Sequence, residues 1–240
     1  MFKKIKDYIK AYKNQKKQDS AYLKELNWAN IYHDSIRGNE ALQKLSLNIG
    51  RWAGSYAFFY VLNRILEDYK PNNIIELGLG ESTKFISVFL NKYNIAANHI
   101  VIEHDEKWIE NFKQNFVLSS KSQIINLKLV SRNIHQHQSL GYDFNEELLN
   151  KKNDLYIIDG PYGSKHFSRY DICFLLEKIA ENDDFIILFD DFHRRGEKDT
   201  VSDIEAILKG KKMTYYINVY KGVKDVCVIV SEKYKYISTL

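Results

Sequence analysis

The chain opens on a helical pattern. Between residues 2 and 17 the apolar positions Phe2, Ile5, Ile9 and Tyr12 recur at spacings of three and four, and seven lysines (Lys3, Lys4, Lys6, Lys10, Lys13, Lys16 and Lys17) surround them. A second helical stretch is predicted over 20–45. A third, over 49–69, is dense in large apolar residues and ends before Pro71. Beyond it the period changes. Short apolar runs at 73–77 (NIIEL), 99–103 (HIVIE), 124–130, 154–158 (DLYII) and 185–189 (FIILF) predict strands. They alternate with helical stretches at 82–92, 106–119, 168–181 and 200–208. Two β-rich runs, 213–220 and 225–231, read as a closing hairpin. Short apolar strands separated by helices predict an α/β fold: a doubly wound, mostly parallel sheet covered on both faces, with an antiparallel terminal hairpin. The organisation expected is an N-terminal helical extension, residues 1–48, ahead of one α/β domain, residues 49–240.

Composition narrows the class. With 45% hydrophobic and 14% aromatic residues in 240, the chain is a packed globular protein rather than a disordered one. No apolar run approaches the length of a membrane span, and the lysine-rich start lacks the apolar stretch of a signal peptide. Cys173 and Cys227 sit within apolar runs and give neither a disulfide framework nor a zinc spacing, so the expected location is reduced and cytoplasmic. Net charge is +4, but eight lysines against two aspartates place +6 on residues 1–24, which leaves –2 on the remaining 216. The body therefore has no bulk attraction for nucleic acid.

Parallel α/β sheets bind ligands at the carboxyl ends of their strands, and the suggestive polar residues lie there: Glu76, Gly78, Glu103, Asp159, Asp190 and Asp191. The turn Gly78-Leu79-Gly80 lets a ligand approach the backbone closely. A dinucleotide would set its pyrophosphate over the next helix N-terminus, where Glu81 stands with Glu76 nearby, and Thr83 replaces the third glycine of that fingerprint. This disfavours an NAD-dependent oxidoreductase. A cationic nucleoside without phosphate, S-adenosylmethionine, suits the carboxylates better, and Glu103 is placed to accept hydrogen bonds from both ribose hydroxyls.

The segment Glu76 to Ser82 resembles the first motif of class I S-adenosylmethionine-dependent methyltransferases. Glu103 matches their acidic ribose ligand, and Asp154 to Pro161 (DLYIIDGP) is similar to their fourth-strand motif. The resemblance spans roughly residues 50–231 and implies a seven-stranded sheet with its last strand antiparallel. It implies cofactor contacts from Glu76, Gly78, Gly80, Ser82 and Glu103, with Asn133, after the third strand, at the adenine.

For the acceptor, Asp159 and the pair Asp190-Asp191 end neighbouring strands and converge. This resembles catechol-type O-methyltransferases, whose acid and acid-amide pair hold Mg²⁺ or Mn²⁺. Here the pair is acid-acid. Metal-free use of the same groups is the alternative, with Asp159, Asp191, His193 or His166 as acid or base. Lys165, Arg169 and the basic loop 192–198 suggest an anionic or polyhydroxylated acceptor, and similarity to methyltransferase-like proteins of surface-polysaccharide synthesis points to a glycan. A methyltransferase fold that binds without catalysing is the competing reading. For residues 1–17 two expectations stand: docking on the protein or a partner, or lying on an anionic membrane surface.

Overall fold

The computed structural model describes residues 2–50, 52–93 and 96–240. It begins with one long helix, α1 (Phe2–Ser35), which joins the first predicted stretch to the second but stops ten residues short of the predicted end, and a single helical turn, α2 (Glu40–Gln43). Helix α3 (Tyr56–Tyr69) is capped by Ser55, whose hydroxyl accepts from the Phe58 amide at 3.3 Å. It ends where Lys70 turns left-handed (φ 46°) before Pro71.

Five short strands then run parallel: β1 (Asn73–Leu77), β2 (Asn98–Glu103), β3 (Ser122–Asn126), β6 (Leu155–Ile158) and β7 (Ile186–Phe189). The closing pair is β8 (Tyr215–Tyr220) and β9 (Val226–Ser231), with β9 antiparallel to both β7 and β8. The sheet order is β3-β2-β1-β6-β7-β9-β8, the expected seven strands with one reversed. Helices α4 (Glu81–Tyr93), α5 (Glu106–Asn115), α7 (Asp171–Glu177) and α8 (Arg195–Gly210) cover its faces, and a short helix α6 (Glu146–Leu149) precedes β6.

The central strands are buried on both faces, and their alternate residues feed two cores. Ile74, Leu155, Ile157, Ile186 and Leu188 pack with α3 and α4. Ile75, Leu77, Tyr156, Ile158 and Ile187 pack with α7 and α8. The second half of α1 belongs to the first core through Tyr32, joined by Ile36 just beyond the helix end. Trp28 crosses edge-on to Tyr220 and donates to the Lys221 carbonyl at 3.1 Å. Residues 3–20, in contrast, are exposed on every side of α1, so this part of the helix does not dock on the body; the Phe2 side chain lies outside the described residues. Cys173 and Cys227 are buried free thiols. Among the described residues no helix is long and apolar enough to cross a membrane.

The third strand departs from expectation. The apolar run 124–130 divides: β3 ends at Asn126, and Leu129 starts an antiparallel ribbon of β4 (Leu129–Ile134) and β5 (His137–Tyr142) outside the main sheet. Its two-residue turn, His135-Gln136, has both φ angles positive (46° and 68°), the twist a tight hairpin requires. Without Gly or Asn there, the turn carries no conventional sequence signal.

Candidate active site

Strand β1 delivers Glu76 and then the glycine turn. Glu76 is fully buried. Its carboxylate accepts from the Ser82 and Thr83 hydroxyls at the start of α4, the latter at 2.9 Å, and from Nε2 of His99 on β2 at 3.0 Å. These bonds tie β1, β2 and α4 together under the turn. They also correct the expectation for Glu76: its oxygens are spent on scaffolding, and it does not line the cleft. Ser82 lines the cleft while its hydroxyl points back to Glu76.

The two glycines do different things. Gly78 has φ +103°, and a Cβ there would meet the Gly160 amide nitrogen at 2.9 Å. Only glycine permits that approach of the β1 and β6 ends. Gly80 has nothing within 4 Å of its Cβ position and borders the cleft.

Glu103 closes the neighbouring wall. Its Oε1 accepts from the His104 and Asp105 amides (2.6 and 2.9 Å), and Oε2 accepts from the Leu79 amide at 3.1 Å. A carboxylate has about four lone-pair sites, so one remains, on Oε2, rather than the pair expected for two ribose hydroxyls. Trp108 donates its indole N–H to the Leu79 carbonyl at 2.8 Å and lines the same wall. Tyr142, at the end of β5, brings a buried hydroxyl without a hydrogen-bond partner, and burial together with Glu103 raises its pKa well above 10. Asn133 is elsewhere. It lies in β4 opposite Gln138, exposed and away from the cleft, because the ribbon begins three residues beyond the end of β3.

The acceptor side gathers Asp159, Asp190 and Asp191 from the ends of β6 and β7, with ligand-capable oxygens within 4.8 Å of one another. Three cations reach them. Arg169 is 3.2 Å from Asp159 and 3.0 Å from Asp191; Lys224, from the β8–β9 loop, is 3.5 Å from Asp190 and from Asp191; Arg194 is 3.0 Å from Asp191. Burial and then the Asp190 charge push the Asp159 carboxyl up to about 8, and burial raises Asp190 as well. Burial acts on Asp191 in the same sense, but Arg169, Lys224 and Arg194 outweigh it and hold the group below its usual value. Three carboxyl groups facing three cations form an internally paired cluster. This donor set does not fit a resident Mg²⁺ or Mn²⁺, which would have to displace Arg169 and Lys224 from buried positions.

Neither expected histidine bonds to this cluster, and His193 acts on Asp191 only through its field. His166 turns toward α8, where its Nδ1 lies 2.7 Å from Asp199, and stacks on His137. His193 and Lys165 are exposed outside the cleft. The whole cleft measures about 850 Å³ and runs from the Gly78–Gly80 turn to Lys224. Residues 48–50 and 52–54 roof one side, held by the Lys224 ammonium on the Ala53 carbonyl (2.8 Å) and by the Asn48 amide on Glu81 (3.2 Å). Trp52 (97% exposed) and Tyr162 stand at the rim.

No family model and no curated protein matches this chain. Among solved structures, a Klebsiella pneumoniae protein assigned as an O-methyltransferase superposes with a TM-score of 0.50 at 12% identity, over 84% of this chain and 89% of that one. A Staphylococcus aureus protein assigned as a caffeoyl-CoA O-methyltransferase does so with a TM-score of 0.50 at 14% identity, over 87% and 99%. The chain has the class I methyltransferase fold. On the methyltransferase sheet, β1, β2, β6 and β7 are the strands whose carboxyl ends form the cleft. Trp108, Tyr142, Arg169 and Lys224 are among the cleft residues that the sequence motifs did not assign to the cofactor or to catalysis. Tyr142 and Lys224 come from the ribbon and the terminal loop, far in sequence from any glycine or acidic motif.

Proposed function

We propose that the protein is an S-adenosylmethionine-dependent methyltransferase acting on an oxygen of a small polyhydroxylated acceptor such as a glycan. The observation that carries the reading is the open space over Gly80, bounded by the free acceptor site of Glu103, the orphan Tyr142 hydroxyl and the flat Trp108 ring. These residues fit a nucleoside ligand. Gly78 and Gly80 present bare backbone, Glu103 takes a ribose hydroxyl, and Trp108 offers an aromatic face. Glu81 at the α4 N-terminus remains unfavourable for a pyrophosphate.

Bound S-adenosylmethionine supplies an electrophilic methyl group on a sulfonium. The chain supplies position and proton handling, and for an in-line displacement position dominates. Asp159, with its pKa near 8, sits at the boundary of cofactor and acceptor sides and accepts the hydroxyl proton. Arg169 holds that carboxyl in place from 3.2 Å. The cluster presents donors and acceptors together, which suits a polyhydroxylated acceptor; Trp52 and Tyr162 offer flat apolar faces to a sugar ring.

The test is transfer of a labelled methyl group from S-adenosylmethionine to a panel of sugars, polyols and sugar acids, with and without EDTA. Label in a polyhydroxylated acceptor, undiminished by EDTA, is the expected result. Binding of the cofactor without transfer to any acceptor would support a catalytically silent binding protein instead.

A further inference from the structure

The first half of α1 projects from the body with an apolar seam that nothing in the chain covers. Ile5, Ile9, Tyr12, Leu23 and Leu26 are all exposed, Leu23 and Leu26 by 68% and 61%. With Lys16 and Asp19 between them, they continue one spacing of four and three along the helix, the heptad of a coiled-coil seam. The residues that α1 gives to its own body, Glu25, Trp28 and Tyr32, centre on the opposite face of the helix. The seam is therefore open along its length, including where the helix rests on the domain.

Charge says what covers it. Residues 3–17 carry +6 and residues 18–34 carry –2. We propose that α1 pairs antiparallel with α1 of a second copy of this chain. In that register Lys16 faces the partner's Asp19, Tyr12 faces the partner's Leu23, and Ile9 faces the partner's Leu26. Lys13 and Lys6 fall beside the partner's Ser20 and the partner's Asn27, away from other lysines. A parallel pair would instead set Lys16 on Lys16, Asp19 on Asp19 and the two lysine-rich halves together. Lys16 and Asp19 make no ion pair among the described residues; Asp19 only accepts from the Gln15 amide at 2.8 Å. A groove of about 550 Å³ opens beside Leu23, walled by Asn27, Trp28, Tyr220 and Leu240, and receives the partner's Tyr12 ring. An overlap of residues 5–30 is roughly 40 Å long and about 10 Å wide. Counting both copies it buries about 800 Å², the size of a weak, concentration-dependent dimer.

The test is sedimentation velocity of the full chain over a range from low to hundreds of micromolar, and it does not depend on the cofactor or on turnover. The wild-type protein is expected to dimerise. Lys16→Asp, which sets two acids against each other, weakens the dimer roughly tenfold or more, and Leu23→Asp abolishes it. The exchange Lys16→Asp with Asp19→Lys restores wild-type association. All these side chains are exposed, so the variants fold. A monomer throughout the range overturns the proposal, as does failure of the double exchange to restore what Lys16→Asp loses. A monomer that pellets with vesicles of phosphatidylcholine and phosphatidylglycerol, and ceases to when residues 1–19 are removed, overturns it in favour of a membrane-surface helix.

Discussion

Replacing each glycine of the β1–α4 turn by alanine should separate folding from binding. At Gly78 the added methyl meets the Gly160 amide nitrogen at 2.9 Å, and the Asp159 carbonyl carbon and Gly160 Cα at 3.1 Å, all backbone that cannot swing aside. Its φ of +103° adds a conformational cost of about 1–3 kcal/mol for any L-residue. Relieving the contacts by shifting strand ends costs about 1–3 kcal/mol more. Gly78→Ala should therefore lose about 2–6 kcal/mol, which lowers the melting temperature by roughly 5–20 °C for a chain of this size. At Gly80 the same methyl meets nothing within 4 Å, so Gly80→Ala should unfold within about 0.5 kcal/mol of wild type. It occupies the space assigned to the cofactor, and overpacking a bound ligand by about 1–3 kcal/mol weakens S-adenosylhomocysteine roughly five- to 150-fold. Urea denaturation reads the first effect and calorimetric titration the second. A Gly78→Ala protein within about 1 kcal/mol of wild type would refute the packing argument. A Gly80→Ala protein that binds normally would refute the cradle.

Lys224→Met should cost about 3–5 kcal/mol at neutral pH by leaving buried Asp190 and Asp191 short of a cation, and the deficit should shrink as pH falls and those carboxyls protonate; urea titrations at several pH values read both. Methyl transfer should rise with pH through about 8 as Asp159 loses its proton, and Asp159→Asn should lose that limb and slow turnover roughly 10²–10⁴-fold. The same raised pKa makes the folded state bind the extra proton, so this group's contribution to stability should decline as pH climbs from about 4 to about 8, a trend absent in Asp159→Asn. His166→Ala and His193→Ala should leave turnover unchanged in steady-state assays, since neither side chain borders the cleft.

The sheet was legible because its signals are local. Apolar runs bounded by turns announce buried parallel strands, and Gly78, Glu103 and Asp159 mark their carboxyl ends. The division of 124–134 was not legible, since the hairpin turns on His135-Gln136 in a conformation those residues seldom adopt. That error carried Asn133 to the wrong place. Glu76 was misread because a carboxylate beside a glycine turn looks the same in sequence whether it faces ligand or scaffold; the partners that decide it, Thr83 and His99, are seven and twenty-three residues away. The acid cluster was legible as a convergence, yet its pairing with Arg169 and Lys224 was not, because Lys224 arrives from the last loop of the chain. His166 was a reasonable candidate by position, and only the fold shows Asp199 drawing it away.

The most direct test of the central claim is calorimetric titration of the full chain with S-adenosylhomocysteine, wild type beside Glu103→Ala. The cleft predicts one site per chain. It predicts a loss on substitution of about 1.5–3 kcal/mol, roughly ten- to 150-fold, for the charge-assisted bond to the ribose. No binding by the wild-type chain, or equal affinity in the two proteins, would contradict the assignment of this cleft to the cofactor.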